Sequence, residues 1–388
     1  MRLALDGGMA ASSVEDDGVA IPQPPGDEKE GYVRNGPHKV WSALRPLALG
    51  VALIAAASAV LLISDWKQRR SGKLLTRVAL VQHASQSALD EGVQGIVDGL
   101  RNHGFIDGRT ISMERFNAEN DLPTANAIAR QVAGGEFDLV ITASTLSLQT
   151  MANANREGKT KHVFGIVADP FGAGVGIDRG NPLDHPKYMT GIGSMMRVDK
   201  VFVQARELYP ALKTLGLVWN TAESNSEAFT RAARVACGKL GITLLEANAE
   251  NTSAVSDAAN SLVSRGVDAM WISGDVMVLV AADSVIAAAR KGRIPTFTII
   301  PTTVQRGALF DMGANFHELG KQVGDLAAKV LKGADPASIP VINWVPERLA
   351  VNLTALAGLR EPWRLPREFV ERADLVVDQQ GTHEKGAK

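Results

Sequence analysis

Cysteine is nearly absent: Cys237 is the single one in 388 residues. No internal disulfide and no cysteine-based metal cluster can form, and this residue lies far from the N-terminus, where a lipidated cysteine would have to sit. The sequence suits it to a small buried apolar position on a helix. Net charge is nearly absent as well, with 41 Lys plus Arg against 42 Asp plus Glu. Such a balance gives no general attraction to a phosphate backbone, so nucleic acid is not an expected partner. The seven histidines include no pair at metal-ligand spacing of the H-E-x-x-H kind, and no G-x-S-x-G elbow occurs. Neither a metal nor an organic cofactor is expected, and catalysis has no motif to carry it. At 45% hydrophobic and 21% charged residues, fibrous and wholly disordered classes drop out, and the length suits two or three globular units.

What is present changes character along the chain. Residues 1–40 are rich in Gly, Pro and acidic residues (Pro22, Pro24, Pro25, Asp27, Glu28, Glu30) without an apolar period, which reads as a flexible tail. From Leu47 to Ile63 no charged residue occurs, and as a helix this run would reach about 26 Å at ~1.5 Å per residue. Trp41 and Trp66 flank it and Arg45 and Lys67 bracket it with charge. Residues 41–66 are therefore expected to be a single transmembrane anchor. A cleaved signal ending near Ala57-Ser58-Ala59 and an Ala-rich core helix are the competing readings. Flanking cations, four before the run and five after it, leave orientation open.

Beyond Lys73 short β-rich runs alternate with helical patterns. Arg77–Val81 reads as a strand, and Leu89, Val93, Ile96, Val97 and Leu100 then fall on one helical face. Further strands are expected at Ile111–Phe116, Leu139–Ala143 and Val163–Val167. A second series starts at Thr214, Ile242, Ala269 and Thr296. Spacings near thirty residues fit one βα unit per repeat, hence an α/β chain of two similar lobes, each a parallel sheet flanked by helices. Ligands of such sheets sit at the carboxyl ends of the strands, so both lobes should present their strand-end loops to a shared groove. Those loops carry Gln82, His83 and Ser85; Ser144, Thr145 and Ser147; Asp169; Asn220, Glu223, Ser224 and Asn225; and Asp275. Small polar residues there cap helices. Several capped N-termini facing one crevice also suit a carboxylate.

The combination resembles the substrate-binding proteins of ABC transporters of the tryptophan/tyrosine type. The resemblance runs from about Thr76 to Val377 and is carried by Ala88-Leu89-Asp90 with Gly95, Thr145-Leu146-Ser147-Leu148-Gln149, Ala168-Asp169-Pro170, Asn220 with Glu223-Ser224-Asn225-Ser226, Gly274-Asp275, Arg306-Gly307-Ala308 and Glu318-Leu319-Gly320. It implies a type I periplasmic-binding fold whose two lobes, joined by a hinge of three strands, close on a small organic solute. It further implies delivery of the solute to a permease and ATPase, with the folded part outside the cytoplasm. On that basis lobe 1 is expected over 74–192 and 306–336, lobe 2 over 193–305 and 337–377, and a flexible C-terminal tail over 378–388. The resemblance assigns binding to Thr145, Ser147, Asp169, Asn220, Asn225 and Asp275; Gln82, Ser85 and Asn315 complete the candidate set.

Two departures bear on the solute. Asp275-Val276 stands where such proteins often have Asp-Asn, and Gly313-Ala314-Asn315-Phe316 stands where Gly-x-Asp-Tyr is common. An amide at Asn315 offers no counter-charge to an ammonium group, so an amino-acid-like solute, a carboxylate, and a neutral amide-bearing or aromatic solute all stay open. A ligand sensor built on the same lobes without transport is the alternative function. Gly158-Lys159-Thr160 lacks the first glycine of a phosphate loop, position 153 being Asn153, and does not open a helix.

Overall fold

The computed structural model describes residues 50–61 and 75–385. The chain divides into two units, Met1–Lys73 and Leu74–Lys388. In the first, residues 50–61 form helix α1; Val51, Leu53, Ile54, Val60 and Leu61 on it are exposed. Among the described residues no helix is long and apolar enough to cross a membrane. The expected tail 1–40, and residues 41–49 and 62–66 of the expected anchor, lie outside the described residues.

The second unit holds two α/β layers. In the first, β1 (Thr76–Gln82), β2 (Ile111–Asn117), β3 (Leu139–Ala143), β4 (Lys161–Val167), β5 (Met189–Gly193) and β11 (Ile342–Asn343) form a sheet in the order β11-β5-β4-β3-β1-β2, parallel throughout. Helices α2 (Ser87–Asn102), α3 (Leu122–Ala133) and α4 (Thr145–Ala154) follow the first three strands. The second layer contains β6 (Thr214–Trp219), β7 (Thr243–Asn248), β8 (Ala269–Ile272), β9 (Thr296–Thr298), β10 (Phe310–Ala314), β12 (Glu347–Asn352), β13 (Leu375–Asp378) and β14 (Gly381–Glu384). Their order is β14-β13-β12-β10-β9-β8-β6-β7, parallel from β7 to β10 and mixed beyond. Its helices are α5 (Val198–Leu208), α6 (Ser224–Leu240), α7 (Val255–Ser264), α8 (Val276–Val280), α9 (Ala282–Lys291) and α11 (Arg367–Arg372), while α10 (Phe316–Leu331) packs on the first layer.

The central strands are buried from end to end: Leu139–Ala143 and Ala269–Ile272 show no exposed residue. Burial on both faces is what a parallel sheet between helices requires, and it explains why these runs lack alternation. Phe202, Trp271, Phe297 and Phe310 form the aromatic centre of the second lobe, Phe297 stacking on Phe310 at 5.0 Å and Phe202 meeting Trp271 edge-on at 4.9 Å. In the first lobe α2 and α10 cross at backbone distance. A Cβ at Gly320 would lie 2.0 Å from the Gly92 carbonyl oxygen, and one at Gly95 would lie 2.1 Å from that of His317. Only glycine permits so close an approach.

The chain crosses between the lobes three times: after Gly193, at Asn315, and between Asn343 and Glu347. The crossings are laced together. Trp344 N–H donates to Gly193 O at 3.0 Å, Asn315 N–H to Pro346 O at 2.7 Å, and Met195 N–H to Asn343 Oδ1 at 2.7 Å. Three segments differ from the expected boundaries. Residues 306–314, assigned by resemblance to lobe 1, belong to the second sheet because the Phe310 ring is buried against Phe297. Residues 337–343 belong to the first lobe, since β11 pairs with β5. The expected C-terminal tail contains β14, held by a turn in which Asp378 Oδ1 accepts from the backbone N–H of Gln380 and Gly381.

Candidate functional site

Between the lobes the carboxyl ends of the two sheets enclose a narrow cavity of about 40 Å³. Lobe 1 contributes Gln86 and Leu89 from the start of α2, Ser144 and Thr145 from the start of α4, and Ile166 from β4. Across from them stand Asn225 and Phe229 of α6, Gly274, and Val276 of α8, with Phe316 at the start of α10. The walls are thus mainly apolar, with a few neutral polar groups.

Four of the five polar lining residues are placed by a helix start; the fifth, Ser194, follows β5 and donates its N–H to Val167 O at 2.7 Å. Gln86 caps α2 by accepting from Ala88 N–H at 3.0 Å, and Ser144 Oγ caps α4 by accepting from Ser147 N–H at 3.1 Å. Thr145 follows that cap; it is 4% exposed, and its Oγ1 has no hydrogen-bond partner among the described residues. A buried unsatisfied hydroxyl carries a desolvation cost, which a ligand can relieve. Asn225, 6% exposed, donates from Nδ2 to Glu223 Oε2 at 3.1 Å and to Gly274 O at 3.0 Å. A Cβ at Gly274 would come 2.3 Å from the Phe229 ring, so the absence of a side chain there lets the ring reach the cavity.

Behind the lobe-2 wall two carboxyl groups share the N-terminus of α8. Asp275 Oδ1 accepts from Val278 N–H at 2.8 Å, and its Oδ2 accepts from Asn220 N–H and Ser226 Oγ–H. Glu223 accepts from Val276 and Met277 N–H as well as from Asn225. Burial, and then the neighbouring Asp275, push the Glu223 carboxyl up to about 7. Burial likewise raises Asp275.

The lobes touch around the cavity. Ser87 Oγ and Thr302 Oγ1 are 2.6 Å apart, Arg348 Nη1 of β12 meets Glu91 Oε1 of α2 at 3.2 Å, and Arg231 of α6 reaches Asp169 at 3.8 Å. A wider groove of about 890 Å³ adjoins the cavity, sharing Ala168 and Met196 with it.

Of the nine candidate residues, the structure brings Thr145 and Asn225 together at the cavity. Ser147 lies beneath Thr145, bonded to Ser144. Asp169 lines the adjoining groove, where it takes both oxygens to Arg179 at 2.7 and 2.8 Å. Asn220 closes a local turn by accepting from Ala222 N–H, and Asp275 is wholly buried behind the wall. Asn315 caps α10 through Glu318 N–H. Gln82 donates to Ala84 O and Asp90 Oδ1, while Ser85 accepts from Asn117 Nδ2. The apolar wall was missed, and its signal was available: helical side chains lean toward the helix N-terminus, so apolar residues in a first turn after a cleft loop, such as Leu89 and Val276, point at the cleft.

A bilobed α/β binding protein with a cavity between its lobes is the class these features define. Residues 77–360 match the family model of the ABC transporter substrate binding proteins, and the chain belongs to that family. It is 26% identical over 323 residues to a tyrosine-binding protein of Clostridioides difficile (strain R20291), covering 83% of this chain and 92% of that one. A conserved domain protein from Vibrio cholerae is 28% identical with a TM-score of 0.72, covering 78% of this chain and 99% of that one. An ABC domain from Streptococcus pneumonia in complex with L-Trp superposes with a TM-score of 0.71 at 24% identity, covering 78% and 100%. A ligand-free, open substrate-binding protein from Clostridium difficile is 28% identical and covers 74% and 96%, with a TM-score of 0.57.

Proposed function

We propose that this chain is the solute-binding component of an ABC importer, closing its lobes on an amino-acid-sized organic solute with an apolar or aromatic body. The observation that carries this is a cavity walled by both lobes, apolar except for a few neutral polar groups, in which the buried Thr145 hydroxyl has no partner among the described residues. The tyrosine- and tryptophan-binding relatives support a solute of that size. Closure works by population shift: a solute touching Thr145 on one lobe and Phe229 on the other stabilises the closed arrangement over the open one. The protein acts by binding and presentation, without catalysis. Residues 41–66 anchor it in the membrane with the folded unit on the extracytoplasmic side, where it meets a permease and its ATPase.

The test is thermal denaturation and calorimetry of the full chain in detergent against apolar amino acids and their deaminated carboxylates. A binder raises stability by RT ln(1 + [L]/Kd), about 2.7 kcal/mol at a hundredfold excess over Kd. Thr145→Val and Phe229→Ala should each weaken that binder, while Ser85→Ala should not. Equal affinity in all three variants, or no binder in the panel, would remove the site.

A further inference from the structure

The chemistry of the cavity wall narrows the solute beyond size. Sixteen described residues line the cavity, and none of them is charged. A zwitterion needs a counter-charge or several strong acceptors for its ammonium group, because a buried cation without them is costly. The carboxylates next to the lining in the chain are already engaged: Asp90 accepts from Gln82 Nε2, Asp169 from Arg179, and Asp275 with the neighbouring Glu223 from the α8 amides, Asn220 N–H, Asn225 Nδ2 and Ser226 Oγ.

The opposite holds for a negative charge. α4 is ten residues long, and its Ser144 cap takes only Ser147 N–H, which leaves its first amides free for an anion. Beside them stands the Thr145 hydroxyl, buried and unpartnered. The adjoining groove, continuous with the cavity through Ala168 and Met196, carries Arg179, Arg197, Arg231 and Lys239 against Asp169 and Asp199. Arg179 and Arg197 are neutralised by Asp169 and Asp199, and Arg231 also reaches Glu227, so Lys239 is the main positive charge left there to draw anions toward the cavity.

Resting on the binding role proposed above, we propose that the solute is an apolar or aromatic monocarboxylate without an α-ammonium group. Its carboxylate sits at the N-terminus of α4 on the Thr145 hydroxyl, and its hydrocarbon part packs on Phe229 and Phe316. The class includes aryl-propionates and the 2-oxo acids of apolar amino acids.

Matched probes test this on the full chain in detergent by calorimetry: 3-phenylpropionate against L-phenylalanine and 2-phenylethylamine, and indole-3-propionate against L-tryptophan. Each carboxylate should bind at least tenfold more tightly than its amino acid, the amine should not bind, and Thr145→Val should erode the carboxylate's affinity about tenfold. An amino acid that binds as tightly as its deaminated partner, or more tightly, overturns the inference and leaves the cleft reading standing. Failure of all five probes, or binding that Thr145→Val and Phe229→Ala leave unchanged, overturns both. The wild-type selectivity ratio decides the question even where a variant folds poorly.

Discussion

Glu223 gives the most direct physical test of the cleft floor, because its proton links stability to pH in a range reachable by experiment. Its carboxyl titrates at about 7 against an ordinary 4.5, first from burial and then from the adjoining Asp275. A group whose folded pKa is raised holds its proton more tightly when folded. Its stabilising contribution is therefore complete below the ordinary pKa and is lost as pH rises through about 7. One unit is worth ~1.4 kcal/mol, so the window from pH 5 to 8 should cost roughly 1–3 kcal/mol once sharing of protons with Asp275 is allowed for. For a folded unit of about 300 residues, with an unfolding entropy near 2.1 cal/mol/K per residue, that is roughly 2–5 °C in Tm. Glu223→Gln keeps the shape and an acceptor for the α8 amides but has no proton to lose. Calorimetric Tm of wild type and variant at pH 5 and 8 isolates the Glu223–Asp275 pair, since His83, lowered by burial, and Asp311, raised by burial, cancel in the difference. Wild type should lose ground to the variant as pH rises. A difference that stays flat, or reverses sign, refutes the assignment of the buried proton.

Two further substitutions follow from contact geometry. Gly320→Ala places a Cβ 2.0 Å from the Gly92 carbonyl oxygen, and overpacking against backbone, ~1–3 kcal/mol or more, exceeds the ~1 kcal/mol helix preference of alanine. Tm should fall by several degrees. Gly238→Ala on α6 meets nothing within 4 Å and should raise Tm slightly; thermal denaturation of the pair checks both. Thr302→Val removes the hydroxyl 2.6 Å from Ser87 across the cleft; a lost hydrogen bond of ~0.5–1.5 kcal/mol in the closed state alone weakens solute affinity two- to tenfold. Calorimetric titration showing wild-type affinity would count against closure through this contact.

The two-sheet architecture was readable because buried parallel strands write themselves as short continuous apolar runs at regular spacing. VALV of β1, LVITA of β3 and AMWI of β8 need no partner to be recognised. β5 (MTGIG), β11 (two residues) and β14 (GTHE, exposed) fail that test, and they sit where the chain crosses or ends. At the site, helix-start polarity was readable but its purpose was not. Asp275 and Asn315 are spent on caps, whereas Thr145 and Asn225 also line the cavity. The difference lies in which strand ends come face to face, a property of two lobes meeting that no single βα unit encodes.

Backbone strain marks the same place independently. Among non-glycine residues with positive φ, Ser144 (122°) and Ile166 (56°) stand at the carboxyl ends of adjacent strands and both line the cavity. A β-branched residue in the left-handed region costs of order 1–3 kcal/mol and persists only where neighbours dictate it. Here β4 carries a register irregularity between Phe164 and Val167, and the Ile166 side chain occupies the space over Gly92, where a Cβ would fall 2.1 Å from its Cδ1. This strain reverses the usual order of small residues at this position. Ordinarily glycine in a strand is less stable than alanine by ~0.5–1 kcal/mol. At 166 both variants lose the isoleucine packing, yet glycine alone relaxes φ, so Ile166→Gly should melt above Ile166→Ala by a degree or more. An alanine variant as stable as the glycine one would mean that the cavity wall is built without strain.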